Sequence, residues 1–256
     1  MRIATWNVNS LMARLPRVEE WIGYAQPDVL CMQETKIADG GFPALALSAL
    51  GYDVAFHGDG RWNGVAIASR IGLSDIRKGF DSVADNQGCR LISATCGGVR
   101  IHSVYVPNGR SVDSEHYAAK LKWLEELRQL VDRCYLASDD IVVAGDFNVA
   151  PDDRDVWDPA AASEGTHVTE PERNALKAME QWGLIDGFRL HYQQDKLFSW
   201  WDYRAGHFHK HVGMRIDLLL LSQSLAERCR YALIDRNARK GQQPSDHAPV
   251  FVDIDD

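Results

Sequence analysis

The stretch IVVAGDFN, residues 141–148, decides how this chain is read. Its first four residues are apolar and mostly β-branched, as in a strand buried on both faces. The run then ends on Asp146 and Asn148. One strand ending this way means little, because Asp and Asn commonly start turns. Here the pattern recurs. VLCMQET ends on Glu34, IATWNVN carries Asn7 and Asn9, and SVYVPNG carries Tyr105. RIDLLLL has Asp217 near its start, and SDHAPVFV sets Asp246 and His247 just ahead of the last apolar run. Strands packed in one sandwich bring their ends together, so these groups can converge at one edge. If residues 146 and 148 continue the strand, the period of two aims both side chains the same way.

Outward from this stretch the chain is strand-rich. Strands are expected near residues 3–7, 29–33, 52–57, 64–69, 91–96, 100–106, 141–145, 215–221, 232–235 and 249–254. Gly97-Gly98 between two β-branched runs signals a hairpin. GDGRWNG, residues 58–64, lies between two strands and lacks a glycine-fingerprint spacing, so it reads as a turn. Helices are fewer. Residues 113–137 place Tyr117, Leu121, Leu124, Leu127, Val131 and Cys134 at steps of three or four, which gives one buried face. Shorter helices are expected at 14–24, 42–50 and 172–182, and a long polar loop at 152–165. There is no regular strand–helix alternation. The predicted class is α/β: two packed, mostly antiparallel β-sheets flanked by helices, in one domain over residues 1–256.

Composition narrows the functions. The 256 residues are 45% hydrophobic and 25% charged, with net charge −8, which speaks against a protein that merely coats nucleic acid. Residues 189–240 nevertheless hold ten Lys or Arg against five Asp or Glu. A basic stretch beside an acidic centre suits a phosphodiester enzyme. The five cysteines are scattered with no CxxC, which points away from disulfides and thiolate zinc sites and toward a reducing cytoplasm. The start MRIATWNVNS lacks a signal-peptide pattern, and no apolar run reaches membrane-spanning length.

Carboxylates and amides without a neighbouring thiol describe a site for a hard cation such as Mg²⁺. Such an ion polarises a phosphoryl oxygen. A histidine beside carboxylates suggests an imidazole held in one tautomer, able to meet a phosphate as imidazolium. The residues alone thus point to metal-assisted phosphate-ester hydrolysis.

TWNVNSL, LCMQETK, YVPNG, GDFNVAP, FSWWDYR, GMRIDLLLLS and PSDHAPV, in this order, resemble the exonuclease III family of abasic-site endonucleases. That family lies within the endonuclease/exonuclease/phosphatase superfamily, a four-layered α/β sandwich. The resemblance covers essentially the whole chain. It implies a Mg²⁺ ion, with Mn²⁺ as substitute, on Glu34, with Asn7 nearby and Asp246 as a further ligand. It implies Asp146 on the attacking water, Asn148 on the nucleophile or a phosphate oxygen, and Tyr105 at the scissile phosphate or leaving group. His247 would bond the phosphate, oriented by Asp217. Trp200, Met214 and Ile216 would form a small pocket for a flipped, baseless sugar. Asn9, Arg110 and Arg204 would contact substrate. The implied partner is duplex DNA with abasic sites or blocked 3′ ends, bound by a monomer in the cytoplasm, away from membranes. His207, His209 and His211 form HxHxH. In a strand all three would face one way, but no fourth ligand is indicated and the family has no zinc there, so they read as a solvated or DNA-facing loop. Two rival readings are an inactive nucleic-acid-binding relative, which should lack part of the metal and histidine set, and a hydrolase of non-nucleic phosphoesters, against which FSWWDYR and the basic stretch speak.

Overall fold

Twelve strands and seven helices are seen in the computed structural model, which describes residues 1–80, 88–163 and 165–255. The strands are β1 (Arg2–Asn7), β2 (Val29–Gln33), β3 (Asp53–His57), β4 (Val65–Ser69), β5 (Ser74–Lys78), β6 (Leu91–Cys96), β7 (Val99–Tyr105), β8 (Ile141–Asp146), β9 (Ile185–Asp186), β10 (Asp217–Leu221), β11 (Cys229–Ile234) and β12 (Val250–Ile254). The helices are α1 (Leu11–Ala25), α2 (Ala44–Ser48), α3 (Glu115–Cys134), α4 (Pro159–Ala162), α5 (Glu170–Trp182), α6 (His207–Lys210) and α7 (Gln223–Arg228). They build two six-stranded sheets, ordered β11-β12-β1-β2-β4-β3 and β5-β6-β7-β8-β10-β9. Pairing is antiparallel except for β1 with β2 and β7 with β8. No helix among the described residues is long and apolar enough to cross a membrane.

The layers follow from which faces are apolar. Ile3, Cys31, Ile67, Ile101, Val142, Leu219 and Val252 fill the space between the sheets. On the outer face of the second sheet, Trp123, Leu124, Leu127 and Val131 of α3 pack with Leu176 and Met179 of α5. Val18, Trp21 and Ile22 of α1 cover the first sheet from the other side. The order helix, sheet, sheet, helix is the expected four-layered sandwich. Ser114 caps α3 by accepting the Tyr117 N–H at 3.2 Å, which starts that helix two residues later than the periodicity suggests. At the hairpin between β6 and β7, Gly97 and Gly98 have φ of 54° and 85°, a left-handed pair that suits glycine.

Some expectations change. β5 and β9 are edge strands that lack an apolar pattern. Segment 152–165 is more than a loop: it holds a 3₁₀ turn at Asp153–Asp155 and the short α4. It is anchored because buried Asp155 receives Arg215 Nε at 2.7 Å and also binds Arg189. HxHxH lies in the single turn of α6 and its cap, where His211 rests on Phe198 with ring centroids 4.7 Å apart.

Candidate active site

Strand register assembles the first part of the site. Asp146 on β8 pairs with Tyr105 on β7 and with Asp217 on β10, so three polar residues stand abreast at one sheet end. The last strand of the other sheet supplies His247 from the turn that precedes it. His247 Nδ1 lies 2.8 and 3.0 Å from the Asp217 oxygens, and Nε2 faces Asp146 Oδ2 at 3.7 Å. Ser199 fixes Asp217 by donating its hydroxyl at 2.6 Å. Its oxygen in turn accepts the N–H groups of Ile216 and Asp217, both at 3.1 Å.

His247, Asp146 and Tyr105 are all buried, and burial shifts their hold on protons. Burial alone would pull the His247 imidazolium down. The Asp217 and Asp146 carboxylates outweigh it and push it up to about 10. Burial pushes the Asp146 carboxyl up, against the pull of His247. It also pushes the Tyr105 phenol up, with the Glu34 and Asp146 carboxylates adding to the effect. Tyr105 is therefore a hydrogen-bond donor, and the Arg90 guanidinium lies over its ring at 4.5 Å.

The first sheet contributes the second part. Asn7, at the end of β1, reaches across the sandwich: its NH₂ donates to Glu34 Oε1 and Asp146 Oδ2, both at 2.9 Å. Its oxygen accepts the Asn9 N–H at 3.0 Å. Asn9 donates to Asp246 Oδ1 at 2.9 Å, and Trp200 Nε1 donates to Asp246 Oδ2 at 3.2 Å. The Lys36 ammonium sits 3.0 Å from Glu34 Oε2 and 2.6 Å from Asn9 Oδ1. A cationic group thus already rests among these oxygens, without a sulfur ligand, and the chemistry of the donor set fits a hard divalent ion. Asn7, expected nearby, turns its nitrogen toward Glu34, and both oxygens of Asp246, expected as a further ligand, accept hydrogen bonds.

Asn148 joins the site, though not through strand geometry. The strand ends at Asp146, and Asn148 has φ of 49°, so the period-of-two argument fails. Its own N–H, donated to Asp146 Oδ1 at 2.9 Å, makes the contact. Its side-chain oxygen meets Asn108 Nδ2 at 3.2 Å and His167 Nε2 at 3.0 Å, while its NH₂ donates to the Val106 carbonyl at 3.0 Å. Asn108, His167, Ser199 and Lys36 were not singled out from sequence. Asn108, Lys36 and Ser199 lie inside motifs already quoted, close to Tyr105, Glu34 and Trp200, and that proximity was the available signal.

Trp200, Met214 and Ile216 come together as expected. Isolated bridges link Trp200 to Met214 and to His247, and Trp200, Met214, Val168 and Trp157 pack against buried Ile216 and Val156. Arg110 is exposed, with φ of 57°, and lines a cleft of about 380 Å³ together with Glu34, Trp62, Arg90 and Tyr105. Arg204 instead folds onto Asp202, 2.5 Å away. Half of the ten cations in the basic stretch are paired in the same manner: besides Arg204 and Arg189, Arg215 binds Asp155 and Asp186 at 2.7 Å, Arg228 binds Asp140 at 2.6 Å and Arg230 binds Asp255 at 2.6 Å. Among the described residues, the His, Cys, Asp and Glu side chains gathered tightly enough to hold a metal are Asp146, Asp217 and His247; the HxHxH histidines do not join them.

Known proteins resemble this chain as a whole. The Endonuclease/Exonuclease/phosphatase family matches residues 4–247. Exodeoxyribonuclease III of Haemophilus influenzae is 34% identical over 99% of this chain and 100% of its own length. The structure of an AP endonuclease from Archaeoglobus fulgidus covers both chains fully, with TM-score 0.97 and 37% identity. The Neisseria 3′ phosphatase NExo, bound to a product DNA hairpin, has TM-score 0.96 and 36% identity over 100% of this chain and 99% of its own. The chain therefore belongs to the endonuclease/exonuclease/phosphatase family, among the DNA-repair phosphodiesterases of the exodeoxyribonuclease III type.

Proposed function

We propose that this hydrolase cuts duplex DNA 5′ to abasic sites and removes blocking groups or nucleotides from 3′ ends, using Mg²⁺, or Mn²⁺ in its place, held at Glu34. The observation that carries the reading is the pairing of Asp146 Oδ2 with His247 Nε2 across 3.7 Å, with Asp217 behind the imidazole. That contact sets a base and an acid side by side, so that one phosphate group can meet both. Asp146 takes the proton of the attacking water, helped by the burial that raises its carboxyl. His247, charged through Asp217, binds a phosphoryl oxygen as negative charge grows there. Tyr105 donates its hydroxyl proton toward the leaving oxygen or the phosphate. Asn148 holds Asp146 through its N–H and steadies the nucleophile. A bound divalent ion would neutralise phosphate charge and polarise the phosphoryl oxygen. Asn7 ties Glu34 to Asp146, so cation site and base keep one spacing.

Substrate choice comes from the pocket of Trp200, Met214 and Ile216, which suits a bare sugar and excludes a base. Arg110 and Asn9 meet flanking phosphates. Arg204, neutralised by Asp202, contributes a polar rim with little net charge. We take the enzyme to act as a monomer and a single domain, since the two sheets share one core. The five free cysteines suit a reducing cytoplasm. The test offers three labelled duplexes, one with an abasic analogue, one with a 3′-phosphate and one intact, with Mg²⁺ or EDTA. Cleavage of the first two with Mg²⁺ alone is expected. No cleavage, or cleavage indifferent to EDTA, overturns the reading.

A further inference from the structure

Behind Asn148 lies an ion pair with no part in the chemistry described so far. Lys120 of α3 and Glu172 of α5 bond to one another, and both side chains are 0% exposed. A buried pair is poor evidence of stability, because removing two charges from water offsets most of their attraction. The geometry suggests another use. The Lys120 ammonium also donates to the backbone carbonyl of Asn148 at 2.6 Å and to that of Asn108 at 3.3 Å. Its three N–H donors are thereby accounted for. Glu172 Oε1 accepts the His167 N–H at 2.9 Å, and Oε2 accepts the Thr169 N–H at 3.0 Å and its hydroxyl at 2.6 Å.

Three separate segments thus hang from one pair: the tail after β7, the tail after β8, and the loop before α5. Asn148 and His167 hold left-handed backbones, with φ of 49° and 86°, which residues other than glycine keep only when their surroundings over-determine them. The side chains these segments carry meet one another: Asn108 Nδ2 lies 3.2 Å from Asn148 Oδ1 and 3.1 Å from His167 Nε2. The Asn148 N–H, in turn, fixes Asp146 Oδ1.

We propose that Lys120 and Glu172 are positioning residues for hydrolysis: they hold Asn108, Asn148 and His167 in one cluster and so aim Asp146 at its water. This rests on the reading of Asp146 as the group that takes the water's proton. Neither residue touches substrate.

The first test compares Lys120→Met with the double variant Lys120→Met/Glu172→Leu. The single change strands a buried carboxylate and lowers thermal stability. The double change removes both charges and regains part of that stability. The expected result is that kcat stays down by about 100-fold in the double variant, the cost of a misplaced reacting group, while KM for the duplex barely moves. Lys120→Arg, which keeps charge and donors, regains part of the rate. Parent kcat in the stable double variant overturns the proposal. Glu172→Gln keeps the shape and an acceptor for Lys120, and it carries the same test should the double variant not fold. Its side-chain amide ¹⁵N signals from Asn108 and Asn148 should shift, and unshifted signals together with parent kcat also overturn the proposal. A parent protein that cuts none of the three duplexes sinks the reading of function; the amide signals still decide whether the pair positions these residues.

Discussion

Replacing Asp217 by Asn should move the pH range over which the enzyme works. His247 is buried, and its Nδ1 lies 2.8 Å from Asp217 Oδ2. Burial alone would lower the imidazolium, yet the two carboxylates lift it to about 10. The folded value exceeds the ordinary one. The stabilisation from the pair is therefore full below about pH 6.5 and is lost as pH rises through about 10. With charge centres about 4 Å apart and an effective dielectric near 20, the attraction is ~4 kcal/mol, or about three pH units. Asn keeps the shape and can still accept the Nδ1–H, but it carries no charge. The imidazolium of the variant should titrate near pH ~7. At pH 9 its charged fraction falls from ~90% to ~1%, so kcat drops about 100-fold there, while near pH 6 the loss stays within a few-fold. The assay is a pH–rate profile on the 3′-phosphate duplex at saturating Mg²⁺, paired with an NMR titration of the His247 ring. An alkaline limb that stays where it is in the parent would refute the claim that Asp217 keeps His247 charged.

Glu34→Ala should raise the Mg²⁺ concentration for half-maximal rate by more than about tenfold, while DNA binding measured in EDTA stays as in the parent; titrating activity against Mg²⁺ checks this. Met214→Ala widens the sugar pocket, so removal of intact 3′ nucleotides should gain on abasic cleavage, read as the ratio of the two kcat/KM values. Arg215→Met leaves Asp186 without its cation at 2.7 Å and buried Asp155 with Arg189 alone, and should cost ~3 kcal/mol in urea unfolding.

How much of this was legible in the sequence depends on what each residue does. The buried strands could be found because apolar runs such as those of β2, β8 and β10 are covered on both faces. The fully exposed β5 carries no such run, and backbone pairing to β6 alone makes it a strand. The convergence of Glu34, Asp146 and His247 followed from motif order, but the register that sets Tyr105, Asp146 and Asp217 abreast joins segments too far apart for any local pattern. Asn148 was placed beside Asp146 through an expected strand continuation, whereas a left-handed turn brings them together. His167 and Lys120 were invisible for a different reason. A loop histidine and a lysine on an amphipathic helix have no signature until their burial is known.

The basic stretch is less cationic in the fold than its count implies, because charge was summed along the chain while some partners lie elsewhere: Arg215 meets Asp155, 60 residues away, and Arg228 meets Asp140, 88 residues away. With half of its cations paired, the stretch adds less to the field at the strand ends than its count suggests. On the function proposed above, the positive charge at the scissile phosphate would come chiefly from groups set at the cleft: a metal held at Glu34, the His247 imidazolium and Arg110 on the rim. An acidic protein can in this way act on a polyanion, provided its few unpaired cations sit where the reacting phosphate lies.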